Sequence, residues 1–283
     1  MANPPRASYL CRKVGAKLRR LREQSGHTLK SAAPLLDKTR SALHRVETGE
    51  TRPNVHLVKS MMDLYDQYDP HLLDEVRRAL QPPWFRAFGV KGTGAYLAVE
   101  TEATRMSEFS VQLVPGLLQT ERYMRALFIS RNSDEEHVAK SVAIRLARQR
   151  RLTSEDHPLH CWAVIDEAAL LRQIGGTDVM REQLQHLVAV ADLPTVRLRV
   201  LPLSYGAHYA MPGAFFILTF PDPTDPEYLF IENLNGTVHN EEKDQVEKGK
   251  IAFDQVQSAA LTVADSVALI KRMLEAQPWT TPY

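Results

Sequence analysis

The stretch Thr28–Gly49 reads TLKSAAPLLDKTRSALHRVETG, and its punctuation decides how the first part of the chain folds. Thr28 stands where a hydroxyl can cap a helix, and the segment it opens runs to about Leu36. Asp37-Lys38 interrupts the pattern, Thr39 supplies a second cap, and Gly49 closes the second segment, with Pro53 in the next turn. In that second segment Ala42, Leu43 and Val46 fall on one helical face, which leaves Arg40, Ser41, His44 and Arg45 pointing outward near its start. Ala33 offers a small side chain where two helices must cross closely. A pair of short helices about a tight turn, the second apolar inward and polar outward, is what a helix needs to enter a major groove.

Working outward, the flanks extend the pattern to five helices. Leu10, Val14, Leu18 and Leu21 recur at helical spacing before Ser25-Gly26, while Lys13, Lys17 and Arg20 occupy another stripe. Val55, Val58, Met62 and Tyr65 mark a fourth helix, and Asp69-Pro70 starts a fifth through Leu73, Val76 and Leu80. Gln81-Pro82-Pro83 stops it, and three glycines follow at 89, 92 and 94. The expected organisation is an all-α five-helix helix-turn-helix domain over residues 1–80, a linker over 81–95, and a larger α+β domain over 96–283. Charge follows the same division. Residues 1–60 hold 13 Lys/Arg against four acids, a net of +9, and the remaining 223 residues hold 22 against 30, a net of −8. A basic head on an acidic body is the asymmetry of a nucleic-acid-binding domain joined to a differently employed one.

The outward residues suit DNA chemically. Arginine grips guanine O6 and N7 with two bonds, while serine and histidine are more permissive donors to base edges. The segment resembles the Cro/repressor-type (XRE) helix-turn-helix, above all in TRSALHRVETG from Thr39 to Gly49, with its Arg45-Val46-Glu47-Thr48-Gly49 ending. The resemblance implies base contacts from Arg40, Ser41, His44 and Arg45, and phosphate contacts from Thr28, Lys38, Thr39 and Arg52; Lys30 completes the DNA-binding candidates. Phosphate contacts position the domain and base contacts specify the sequence. Three positions depart from the family. Leu29 stands where glutamine is common, Asp37 replaces the usual turn glycine, and Pro34 lies inside the first motif helix. A proline there removes a hydrogen bond and crowds the preceding turn, at about 3 kcal/mol, so that helix is expected to kink or end early.

Beyond residue 96, strands are expected at Trp162–Ile165, Val196–Leu203, Phe215–Phe220 and Tyr228–Ile231, from their β-branched and aromatic content. Helices are expected after Thr120 and after Ser133, whose spacing to Glu136 is that of a capping box. Others are expected along Met180–Ala191, from Glu241 to Ala260, and from Ala264 to Glu275. Pro115-Gly116 reads as the centre of a type II turn. LVPGLLQTERYMRALF (Leu113–Phe128), RLARQRRLT (Arg145–Thr153) and WAVIDEAALLRQIGG (Trp162–Gly176) resemble the second domain of actinobacterial WhiJ-type regulators. That resemblance implies a transcriptional regulator in an antitoxin-like arrangement with a small companion protein.

Enzymatic chemistry finds little footing. No G-x-S-x-G elbow accompanies His208, which reads as a surface-loop histidine. Glu241, Glu242 and Asp244 beside His239 read as helix-start acids rather than metal ligands. Residues 89–94 lack phosphate-loop spacing, and Arg145, Arg148, Arg150 and Arg151 read as a solvated face paired with nearby acids. Phe215, Phe216, Phe220 and Tyr228 read as core. Cys11 and Cys161 are expected to be reduced thiols, and no run approaches the roughly 18 apolar residues of a membrane span. The expectation is a cytoplasmic, nucleoid-associated, non-enzymatic homodimer that binds double-stranded DNA without cofactor or metal. The alternative is an antitoxin-like module whose main task is to bind a companion protein.

Overall fold

In a computed structural model of the protein, the described residues are 9–90, 94–130, 134–223, 225–233 and 236–279. The chain divides into two compact units, Met1–Glu102 and Ala103–Tyr283.

The first unit contains the five expected helices, α1 (Tyr9–Gln24), α2 (Leu29–Leu35), α3 (Arg40–Glu47), α4 (Val55–Tyr65) and α5 (Pro70–Leu80). Local chemistry sets where four of them begin. The side chains of Thr28, Thr39, Asn54 and Asp69 accept hydrogen bonds from the backbone N–H groups of Ser31, Ala42, Leu57 and His71. The apolar stripes then close on one core built from Val14, Leu18, Leu43, Val58, Met61, Met62 and Val76. Trp84–Phe88 forms a 3-10 turn, and Gly94–Glu102 a further helix, α6, that belongs to the first unit. The division between the two compact units falls after Glu102. Phe85, Leu97 and Val99 are buried, the Trp84 indole donates to Thr101 Oγ1 at 3.0 Å, and Arg78 lies 3.4 Å from Glu102. The two prolines stop α5 without ending the domain.

The second unit runs β1 (Arg105–Ser110), α7 (Glu121–Ile129), α8 (Glu135–Gln149), β2 (His160–Asp166), α9 (Glu167–Leu171), α10 (Thr177–Val190) and β3 (Val196–Leu201). It continues with β4 (Phe215–Thr219), β5 (Tyr228–Asn233), β6 (Gly236–Asn240), α11 (Lys243–Ala259) and α12 (Val263–Ala276). The strands form one mixed sheet in the order β3-β2-β1-β4-β5-β6, parallel across β1, β2 and β3 and antiparallel from β4 onward. Helices connect the parallel strands, as parallel pairing requires. On one face Phe109, Val164, Phe215, Ile217 and Leu229 meet Val246, Phe253 and Val256 of α11.

The four expected strands are present, with the second ending at Leu201. Two further strands, β1 and β6, join them. Strand β1 reads RMSEFS, without a single β-branched side chain, yet it lies inside the sheet because β2 and β4 pair on either side of it. Ser133 lies outside the described residues, and the cap of α8 is Asp134, whose carboxylate accepts from His137 N at 2.7 Å. Gly116 does not occupy a type II turn. It opens a 3-10 turn, Gly116–Leu118, closed by Leu118 N donating to Pro115 O at 2.8 Å. Cys11 and Cys161 are both buried and form no disulfide. Among the described residues no helix is long and apolar enough to cross a membrane.

Candidate nucleic-acid interface

The position of α3 is set by its buried side and by α1. Leu43 and Val46 point into the core, where Ala32 and Ala33 of α2 are small enough to admit them. The C-terminal end of α3 meets α1 backbone to backbone. A Cβ on Gly15 would stand 2.5 Å from the Glu47 carbonyl oxygen, and one on Gly49 (φ +76°) would stand 2.6 Å from Arg12 N. A charge pair fastens the same crossing. Arg22 Nε and Nη2 donate to the two oxygens of Glu47 at 2.7 and 2.9 Å, and Nη1 donates to His27 O at 2.8 Å. Both side chains are more than nine-tenths buried. The hydrogen bond to Glu47 raises the Arg22 pKa against the opposing effect of burial. Burial, with the Glu47 charge, pushes the neighbouring Tyr65 hydroxyl up to about 12.

All nine DNA-binding candidates are exposed and lie on α2, α3 and the segments beside them. Thr28 and Thr39 are the caps of α2 and α3, so each hydroxyl oxygen already accepts a backbone N–H. Lys30 lies in the first turn of α2, Lys38 in the connecting turn, and Arg52 in the segment before α4. Arg40, Ser41, His44 and Arg45 are exposed along α3. Among the described residues no carboxylate lies within ion-pair range of Lys30, Lys38, Arg40, Arg45 or Arg52. The basic stripe of α1 is employed differently. Lys13 and Lys17 reach Glu75 of α5 at 3.4 and 2.9 Å.

The departures at Leu29, Pro34 and Asp37 have local explanations. Pro34 sits in the last turn of α2, one residue before its end, so the bond it withdraws is the one to the carbonyl of Lys30, an exposed residue. Lys38 N donates to Ala33 O at 2.9 Å and closes the turn regardless. Asp37 adopts the left-handed conformation (φ +52°), which aspartate tolerates better than most side chains. Leu29 packs against the core. Of the residues that place α3, Arg22 and Gly15 carry no signal in the sequence, while Glu47 belongs to the Arg45–Gly49 ending.

Comparison with known families gives two matches. A family described as a helix-turn-helix domain matches residues 13–76. A family described as a domain of unknown function (DUF5753) matches residues 93–272, well over half the chain. The chain belongs to the DUF5753 family. No curated protein and no solved structure matches it. The first unit is thus a helix-turn-helix domain, as in a DNA-binding regulator. The DUF5753 match begins at residue 93 and includes α6, which the fold assigns to the first unit.

Within the DUF5753 region several side chains take roles other than those expected. His208 lies in a loop, but its side chain is largely buried. Its side chain is about 10% exposed, its ring edge meets Phe109 at 5.4 Å, and its Nε2 lies 3.9 Å from Asp166 Oδ2. Asp166 itself caps α9, accepting from Ala168 N at 2.9 Å. Two of the arginines of α8 and the turn after it bond carbonyl and amide groups. Arg151 donates to Ala103 O and His157 O at 2.6 and 3.2 Å, and Arg145 bonds the Gln119 side chain and lies over the Phe128 ring. His239 of β6 packs beside Phe230. Phe215, Phe216, Phe220 and Tyr228 are buried, as expected of core aromatics. Among the described residues no group of three metal-ligating side chains converges.

Proposed function

We propose that this DUF5753 protein is a sequence-specific transcriptional regulator of the Cro/repressor (XRE) type and the WhiJ-like group. In this reading α3 enters the major groove, Arg40, Ser41, His44 and Arg45 read bases, and Thr28, Lys30, Lys38, Thr39 and Arg52 hold phosphates. The observation that carries it is the cationic set of α2 and α3, exposed and, among the described residues, without ion pairs, on a helix pinned from behind by Arg22 and Glu47. The protein acts as a cytoplasmic, nucleoid-associated homodimer, since one small head reads only one half-site and two half-sites lie about 34 Å apart. The second unit serves dimerisation and the binding of a partner or signal, not catalysis.

Binding to a fragment of its own promoter region, followed by gel shift, tests the reading. The wild-type complex weakens steeply with added salt, because each neutralised phosphate releases counterions. Arg40→Ala abolishes the sequence-specific shift. Specific binding retained by that variant would remove Arg40 from base reading.

The antitoxin-like reading, with a small companion protein as the main partner, is favoured by one observation. At the outer edge of the sheet Ile231 and Val238 pair across β5 and β6 and are 44% and 55% exposed. Co-purification of a companion that is lost in Val238→Lys would support it; an unchanged complex would place the companion elsewhere.

A further inference from the structure

In a chain with 24% charged residues, the longest stretch without aspartate, glutamate, lysine or arginine is Val200–Pro221. Part of it enters the sheet as β4, but the loop between β3 and β4 faces outward. Leu203, Tyr205, Tyr209 and Met211 are 54%, 52%, 62% and 63% exposed. Ile251 of α11 is 48% exposed and lines, with Tyr205 and Tyr209, a cleft of about 550 Å³. We infer that this loop and the outer side of α11 form the contact between two copies of the chain, the loops meeting across a two-fold axis.

The patch is a formed surface. Tyr205 N donates to Pro202 O at 3.0 Å and Met211 N to His208 O at 3.3 Å, so tight turns shape the loop. Ala210 is buried in the core beneath it, and the His208 ring lies edge-on to Phe109. At the other end Leu203 N donates to Glu167 Oε2 at 2.8 Å. The apolar side chains thus stand outward from a backbone anchored below them. Single exposed apolar side chains are ordinary on a protein surface. Five together, at roughly 100 Å² each, present on the order of 500 Å², more than half of the roughly 800 Å² that each partner buries in a standard interface.

Charge decides which partner covers them. At a two-fold axis each residue faces its own copy, so a charged patch there repels itself and an apolar one does not. Residues 61–283 carry a net charge of −8, so two copies approach most easily where carboxylates are few. Among the described residues that line the cleft, Asp254 is the one carboxylate, and no lysine or arginine joins it. The two sheet edges suit a second copy less. Ser266 Oγ accepts from Val200 N, and Leu261 N donates to Val200 O, both at 2.9 Å, which closes the edge at β3. The edge at β6 is flanked by exposed Glu232, Glu241 and Glu242, which a two-fold contact would set against their own copies.

The inference rests on the homodimer reading and deepens it by naming the surface. Sedimentation equilibrium of the full chain without DNA tests the two separately. The wild type sediments at the mass of two chains at micromolar concentration. Met211→Glu and Met211→Lys each weaken the dimer at least about tenfold, the scale of a residue central to an interface. Their circular dichroism spectra match the wild type, because this side chain is exposed in the single chain. Mixing the two variants restores a dimer, since the axis brings opposite charges together. Ala268→Glu, the same added charge on the exposed side of α12, leaves the dimer intact. A wild-type monomer would overturn the inference together with the homodimer reading. A monomer whose co-purified companion is lost in Met211→Glu would give the loop to that companion instead. A dimer untouched by Met211→Glu, or a mixture of the two variants that stays monomeric, would overturn the inference alone.

Discussion

Arg22 and Glu47 stand 25 positions apart in the chain and meet as a two-pronged ion pair behind the exposed face of α3. Removing one partner of a buried pair leaves the other charge without water or counter-charge, at about 3–5 kcal/mol. Glu47→Gln is therefore expected to destabilise the first unit by about that amount in urea denaturation followed by circular dichroism. The double variant Arg22→Met/Glu47→Leu, which leaves no orphaned charge, recovers most of it. A Glu47→Gln loss below about 1 kcal/mol, the ceiling of an exposed pair, would show that the pair is not desolvated. Residues that act locally were legible from the sequence. Thr28 and Thr39 cap the helices they were expected to cap, because a cap bonds only to the next few residues. Arg22 was not legible, because its partner is chosen by the crossing of two helices.

At the scale of elements, the helix that would meet DNA is held by a helix that would not. The approach of α1 to the end of α3 is close enough that Gly15 has no room for a methyl group; the nearest backbone oxygens would lie 2.5 and 2.6 Å from it. Backbone cannot yield as a flexible side chain does, so Gly15→Ala must push α3 away from α1. The expected cost is about 1–3 kcal/mol in stability, with weakened promoter binding by the molecules that remain folded. Ala16→Ser, one residue along on the exposed side of α1, leaves both unchanged. Equal promoter affinity for Gly15→Ala and wild type would mean that the placement of α3 does not depend on this crossing. Strand β1 shows the same dependence in the second unit. Its composition is poor for a strand, and only its neighbours β2 and β4 make it one.

At the scale of the whole molecule, β1 carries a carboxylate inside a folded unit, and this gives stability a pH dependence. Burial raises Glu108 from 4.5 to about 7; Ser110 Oγ, donating at 2.8 Å, opposes the shift, as do the charges of Arg145 and Arg148, while Glu232 adds to it. A folded-state pKa above the unfolded one gives stability that is complete below pH 4.5 and is lost as pH rises through about 7. The loss is on the order of 3 kcal/mol at 1.36 kcal/mol per pKa unit. Urea midpoints of the second unit should fall over that interval in wild type and stay flatter in Glu108→Gln. Parallel curves for the two proteins would remove Glu108 as the cause.

The sequence by itself determined the parts whose causes are local. These are the caps at Thr28, Thr39 and Asp69 and the apolar stripes of the first unit, the basic head on an acidic body, and the outward set from Arg40 to Arg45, since periodicity and capping act within one or two turns. Tertiary structure alone decided what depends on distant segments meeting. It joined Arg22 to Glu47 and Lys17 to Glu75, drew α6 into the first unit, made a strand of Arg105–Ser110, and buried His208 against Phe109 beside an open cleft. Such contacts join residues tens of positions apart, where no period in the chain brings the partners into phase.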